Sequence, residues 1–168
     1  GYRTLLCWQL AENYFNRPGL YRSLIESRPS RNIRPKEVDL LALLEAGELD
    51  YIFIYRSVAE QHRGSYLVLP DEINLKSAAY ATVYQTASVE LTGTKPGDKI
   101  VRRGAPMVYG ITIPKSTRFP QWAARFVAYI LGPEGQRIMK ANGQDELVPA
   151  RVDHYEALPE LLKPLVMK

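Results

Sequence analysis

One cysteine and two histidines among 168 residues remove most disulfide and metal chemistry at the outset. Cys7 alone can build neither a disulfide framework nor a Cys/His metal site. It lies among Leu5, Leu6 and Trp8 and reads as a small buried hydrophobe. His62 and His154 are isolated in sequence, with no nucleophile beside either, so both read as surface histidines. The chain has no P-loop and no paired-glycine dinucleotide fingerprint, and Ser57 lacks a nucleophile-elbow context. No apolar run approaches the ~20 residues that span a bilayer. Gly1-Tyr2-Arg3 opens the chain without a charged-then-apolar leader and runs straight into a helical pattern. That start reads as the inside of a longer protein, a fragment or a separately produced domain. Internal repeats and low-complexity tracts are also absent.

What is present is an ordinary globular composition, 46% hydrophobic and 24% charged, with length for one core or two modest ones. The net charge of +4 favours anionic partners only weakly, because the 22 basic residues are spread along the chain. Nucleic acid is not expected as a partner.

Leu5, Leu6, Trp8, Leu10, Ala11, Tyr14 and Phe15 predict an amphipathic helix over about Tyr2 to Asn16, stopped by Arg17-Pro18-Gly19. A short helix over Leu20 to Glu26 and a basic loop, Ser27 to Asn32, lead to the central stretch, Arg34 to Ser57. There a helix starts near Pro35 and Glu37, with Gly47 just past its end and Val38, Leu40, Leu41 and Leu44 facing a core. Tyr51 to Tyr55 is apolar without alternation, as expected of a strand covered on both faces of a parallel sheet. The free N–H groups near Glu37 and the Tyr55-Arg56-Ser57 strand end would then meet at one sheet edge, where α/β proteins hold small anions.

Further on, Arg56 to His62 predicts a short helix and Tyr66 to Leu69 a short strand. The partly alternating Ala78 to Leu91, the turn Thr92 to Asp98 and Lys99 to Arg102 predict a hairpin. Met107 to Ile113 reads as another buried strand. Two helices follow, from about Pro120 to Leu131 and from Pro133 to Gly143, and then a weak tail helix over Leu158 to Met167 interrupted by Pro164. The acidic pairs Asp71-Glu72 and Asp145-Glu146 read as solvated loop charge.

Arg34 to Tyr51, Tyr55-Arg56-Ser57-Val58-Ala59, Leu69-Pro70-Asp71-Glu72-Ile73-Asn74-Leu75, Val108 to Lys115 and Gly132-Pro133-Glu134-Gly135-Gln136 together resemble the archaeal-type tungstate/molybdate-binding proteins of ABC importers. The likeness runs over nearly the whole chain in the same order. It covers only part of such a protein, whose signal segment and N-terminal lobe are not in this sequence. The resemblance implies an α/β fold of the type II periplasmic-binding class. Residues 1–105 would form the second, ligand-binding lobe, N-terminally truncated. Residues 106–168 would form a hinge strand and helices returning to the first lobe, whose absence would leave their apolar faces exposed or paired in an oligomer. The shorter Ser27 to Asn32 loop is where the family often carries a longer excursion.

On its residues alone, Glu37 is a carboxylate in a helix's first turn, stabilised by the dipole by ~0.3–1 kcal/mol. The resemblance implies a second role, as a ligand to the W or Mo of the bound oxyanion. A carboxylate beside an oxyanion is unfavourable unless it donates to a hard, high-valent cation. Mo(VI) and W(VI) can expand their coordination shell and the sulfur of sulfate cannot do so comparably, so the carboxylate would select against sulfate and phosphate. A second coordinating aspartate of the family lies upstream of the glycine-tyrosine-arginine with which this chain begins. The half-site implied here is Gly1, Tyr2, Glu37, Val38 and Tyr55. Tyr55 alone reads as a packed tyrosine with its hydroxyl at the surface, and by resemblance as a ligand contact. Arg56 and Ser57 are suitable anion donors, while Arg3 and Lys36 read as solvated charge that could steer anions.

The implied function is extracytoplasmic capture of tungstate or molybdate for an ABC transporter permease, without catalysis and with no cofactor beyond the ligand. The missing N-terminal lobe would complete the site. A second reading is an oxyanion-sensing effector domain of a transcription regulator. A third, a porphobilinogen-deaminase-like enzyme, is disfavoured because Cys7 is helical and not in a cofactor-bearing loop.

Overall fold

Helices form where apolar spacing and breakers place them. The computed structural model describes residues 1–34, 36–95, 97–144 and 149–167. Helix α1 spans Tyr2–Tyr14, α2 Leu20–Ser27, α3 Glu37–Glu45, α4 Arg56–Gln61 and α5 Ala81–Tyr84. Strands β1 (Ser88–Thr92) and β2 (Lys99–Arg103) come next, then α6 (Pro120–Leu131), α7 (Pro133–Ala141), β3 (Ala150–Arg151) and β4 (Val166–Met167). The readings that fall on Pro35, Pro96 and the Asp145-Glu146 pair lie outside the described residues.

The helix ends are chemically specific. Beyond α1, Asn16 takes a left-handed φ of 47°, its N–H bonds to Asn13 O at 3.1 Å and Arg17 N bonds back to Glu12 O at 3.0 Å. Beyond α3, Gly47 does the same at φ 74°, with Glu48 N reaching Leu43 O at 2.9 Å. Both satisfy carbonyls that a helix end otherwise leaves open.

The chain divides into two compact units, Gly1–Ile54 with Leu67–Val108, and Tyr55–Tyr66 with Tyr109–Lys168. The core of the first unit is Leu6, Leu10, Ile73, Leu75, Tyr84, Ala87 and Val89, with Tyr2, Leu5 and Cys7 packed around it. Leu6 and Leu10 are one turn apart and make the buried face of α1, so truncating either to alanine costs about 2–5 kcal/mol. Tyr84 is fully buried. Its hydroxyl donates to the Asp71 carbonyl and accepts from Ser77 N–H at 3.2 Å. Trp8 packs edge-on against Phe53, ring centroids 5.7 Å apart, and the Arg28 guanidinium lies 5.5 Å from the Trp8 ring.

The hairpin pairs antiparallel, with Ser88 opposite Arg103 and Thr92 opposite Lys99. It is shorter than the alternation suggested. Residues 78–84 are helical, and this places Tyr84 in the core.

The apolar runs 51–55, 66–69 and 107–113 depart from expectation. None is in a sheet among the described residues, and none is buried throughout. Tyr51 is 84% exposed, Leu67 85% and Tyr109 77%. An apolar run records a preference for a covered, extended state, whereas a strand exists only when neighbours complete its hydrogen bonds. Mixed helix and sheet is retained, with helix dominant.

In the second unit, Ala124 and Val127 of α6 are buried, Gly135 of α7 sits against the backbone of Tyr129 and Ile130 of α6, and Gln136 Nε2 donates to Ile130 O at 2.8 Å. Trp122 and Phe126 on α6 are exposed. The tail is a 3-10 helix, Glu160–Leu165, rather than an α-helix, since Pro164 removes a donor from its interior. Strands β3 and β4 pair in parallel over two residues each. No described helix is long and apolar enough to cross a membrane.

Candidate functional site

The sequence-predicted site residues fall on three helix starts. Gly1 is the N-cap of α1, its carbonyl accepting from Thr4 N at 3.1 Å, and Tyr2 is the first helical residue. The Arg3 guanidinium lies 5.1 Å from the centre of the Tyr2 ring. Glu37 and Val38 open α3, behind Lys36 in an extended conformation at the N-cap. Tyr55 is the N-cap of α4, and its carbonyl accepts from Val58 N and Ala59 N at 3.0 and 3.1 Å. Gly1, Tyr2, Glu37 and Val38 belong to the first unit and Tyr55 to the second.

The start of α3 is an anion-favouring place by construction. No side chain caps it, so the dipole and the first-turn N–H groups are balanced locally by Glu37 and Asp39, both in the first turn. Glu37 is half-buried. Val38 is 59% exposed, so the helix buries Leu41 and only partly Leu40 and Leu44 instead of the whole predicted stripe.

Two further candidate anion donors lie in the first turn of α4. Ser57 is buried at 8% exposure in the first turn of α4. Arg56 Nε donates to Glu60 Oε1 at 2.7 Å, one turn along the same helix. His62 and His154 are exposed, as the sequence suggests. Among the described residues no three His, Cys, Asp or Glu side chains are grouped to hold a metal ion.

A small cavity of about 80 Å³ opens beside the start of α1, lined by Tyr2, Arg3, Leu6, Leu75, Arg103 and Met107 among others. Arg103 was not singled out by its sequence, because its neighbourhood is set by the hairpin register and not by local spacing. Asp71 and Glu72 are not merely solvated. Asn74 Nδ2 donates to Asp71 Oδ1 at 2.8 Å and to Leu69 O at 2.9 Å, and the Tyr80 hydroxyl donates to Glu72 at 3.1 Å. The 69–75 motif therefore shapes a loop that buries Ile73 and Leu75.

An uncapped helix start such as that of α3 is a place where proteins hold small anions. The sequence profile of the bacterial extracellular solute-binding proteins matches residues 7–144, and the chain belongs to that family. It is 50% identical over 163 residues to an uncharacterized solute-binding protein of Petrotoga mobilis, covering 97% of this chain and 51% of that protein. It is 38% identical over 186 aligned positions to the molybdate/tungstate-binding protein WtpA of Thermococcus kodakarensis, covering 99% and 51%. Against WtpA of Pyrococcus abyssi the identity is 37% over 186 positions, covering 99% and 52%. The chain spans about half the length of these relatives.

Proposed function

We propose that this chain is part of an extracytoplasmic binding protein that captures molybdate or tungstate and presents it to an ABC transporter permease without chemical turnover. The observation that carries this reading is the 37–38% identity, over 99% of the chain, to two proteins named for binding these oxyanions. The uncapped start of α3, with Glu37 as its first residue, is consistent with it. In this reading the fold is of the type II periplasmic-binding class. Residues 1–105 are the ligand-binding lobe and 106–168 return to a first lobe that the rest of the protein provides.

Gly1, Tyr2 and Val38 would offer backbone N–H groups and Tyr55 its hydroxyl to the oxyanion oxygens. The Glu37 carboxylate would donate to the metal itself, the interaction that distinguishes W(VI) and Mo(VI) from sulfur. Membership of a solute-binding family weighs against the regulator effector domain and against an enzyme.

Calorimetric titration of the protein encoded by the complete reading frame tests the reading. Tungstate and molybdate should bind in the presence of excess sulfate without being displaced. Absence of binding for both, or displacement by sulfate at comparable concentration, would reject it.

A further inference from the structure

The loop-helix Tyr55–Tyr66 carries a fastening that the sequence motifs do not explain. Two groups converge on the Glu60 carboxylate: Arg56 Nε at 2.7 Å from the first turn of α4, and the Tyr66 hydroxyl at 2.6 Å from beyond its end. The turn after α7 closes on the same helix. Gly143 sits there at φ 71°, its N–H bonded to Lys140 O at 3.1 Å, while Gln144 N reaches Met139 O at 3.0 Å. A methyl group on Gly143 would stand 2.8 Å from Ser57 Cα and 2.8 Å from Glu60 Oε2. The first of these contacts is backbone, which cannot turn aside, so any side chain at 143 must displace α4 or the α7 turn. Gln61 Nε2 adds a long bond to Asn142 O at 3.5 Å.

We infer that Gly143 and Glu60 are positioning residues for Tyr55. Gly143 sets how closely α4 seats on the end of α7, and Glu60 locks α4 at both ends, so that the N-cap residue Tyr55 is held at one place. The inference rests on the reading of Tyr55 as an oxyanion contact. It goes further by assigning that contact's precision to two residues that touch no ligand. A donor misplaced by an ångström loses most of its hydrogen bond, since such bonds weaken steeply beyond about 3.2 Å.

The test uses the protein from the complete reading frame, with 3-fluorotyrosine at position 55, and variants Gly143→Ala, Glu60→Ala and Glu60→Gln. Glu60→Gln keeps an oxygen that accepts from Arg56 and Tyr66. Tungstate affinity should fall about tenfold in Gly143→Ala and Glu60→Ala and stay within about twofold of the parent in Glu60→Gln. The tungstate-induced fluorine shift of residue 55 should shrink in the first two and persist in the third. Parental affinity and an unchanged fluorine shift in Glu60→Ala, with only a lower melting temperature, would overturn the positioning role while leaving the proposed function standing. A parent that binds no tungstate would overturn both. Should Gly143→Ala fail to fold, the two Glu60 variants decide alone.

Discussion

The side-chain amide of Gln9 holds both backbone groups of Ser88, donating from Nε2 to the carbonyl at 2.8 Å and accepting from the N–H at 2.9 Å. The residues are 79 positions apart, and the pair joins α1 to the first residue of β1. An amide is the one common side chain that offers a donor and an acceptor side by side, as a neighbouring strand does. Replacing Gln9 by alanine should therefore cost about 1–2 kcal/mol in chemical denaturation. Gln9→Glu should be worse at pH 7, where a carboxylate faces the Ser88 carbonyl and its pKa is held above the free value, and should recover as pH falls toward the ordinary glutamate value of about 4.3.

Tyr84→Phe removes a hydroxyl that serves two backbone groups, the Asp71 carbonyl and the Ser77 N–H, at a position with no solvent access. The ring volume is kept, so the loss isolates the polar contacts. Stability should drop by about 1–3 kcal/mol, and amide exchange should accelerate first around residues 71–77. Unchanged exchange there would show that the hydroxyl does not hold the loop.

Burial pushes the Cys7 thiol up from 9.0 to about 11. The folded state therefore keeps its proton to higher pH than the unfolded chain. The stabilisation is fully present below pH 9 and is lost as pH rises through about 11. Unfolding experiments should show stability falling across that window, and Cys7→Ser should flatten that part of the profile. Thiol-reactive reagents should label Cys7 in the folded protein at pH 8 far more slowly than in urea.

Glu37→Gln separates the two roles of that carboxylate. If it serves only the helix dipole, the change costs ~0.3–1 kcal/mol of stability and affects all anions alike. If it coordinates the metal of the oxyanion, tungstate affinity in the complete-frame protein should fall by roughly 100-fold, about 2.7 kcal/mol, with little change in any residual sulfate binding. Paired calorimetric titrations of the two anions read the difference.

Much of the helical framework was legible in the residues. Asn16 before Arg17-Pro18-Gly19, Gly47 after the leucine-rich run and Pro120 and Pro133 at the starts of α6 and α7 are local signals with local causes, and each boundary falls within a few residues of them. The hairpin followed from its turn. The 51–55, 66–69 and 107–113 runs did not behave as buried strands, because burial and pairing depend on partners that no short window contains. The same limit hid Arg103 beside Tyr2 and Gly143 against Ser57, contacts fixed by packing between distant stretches. The burial of Ser57 in the first turn of α4 has the same origin, since only packing of the helix decides it. The binding roles proposed for Glu37 and Tyr55 rest on family likeness and not on their spacing.

The metal-directed role proposed for Glu37 turns on what its carboxylate touches. Tungsten-edge X-ray absorption of the tungstate complex, in parent and Glu37→Gln protein, reads the coordination of the metal directly. Coordination by Glu37 should give more than four oxygen neighbours in the parent and a loss of coordination in the variant. A four-oxygen tetrahedral ion, identical in both, would rule out metal coordination by Glu37.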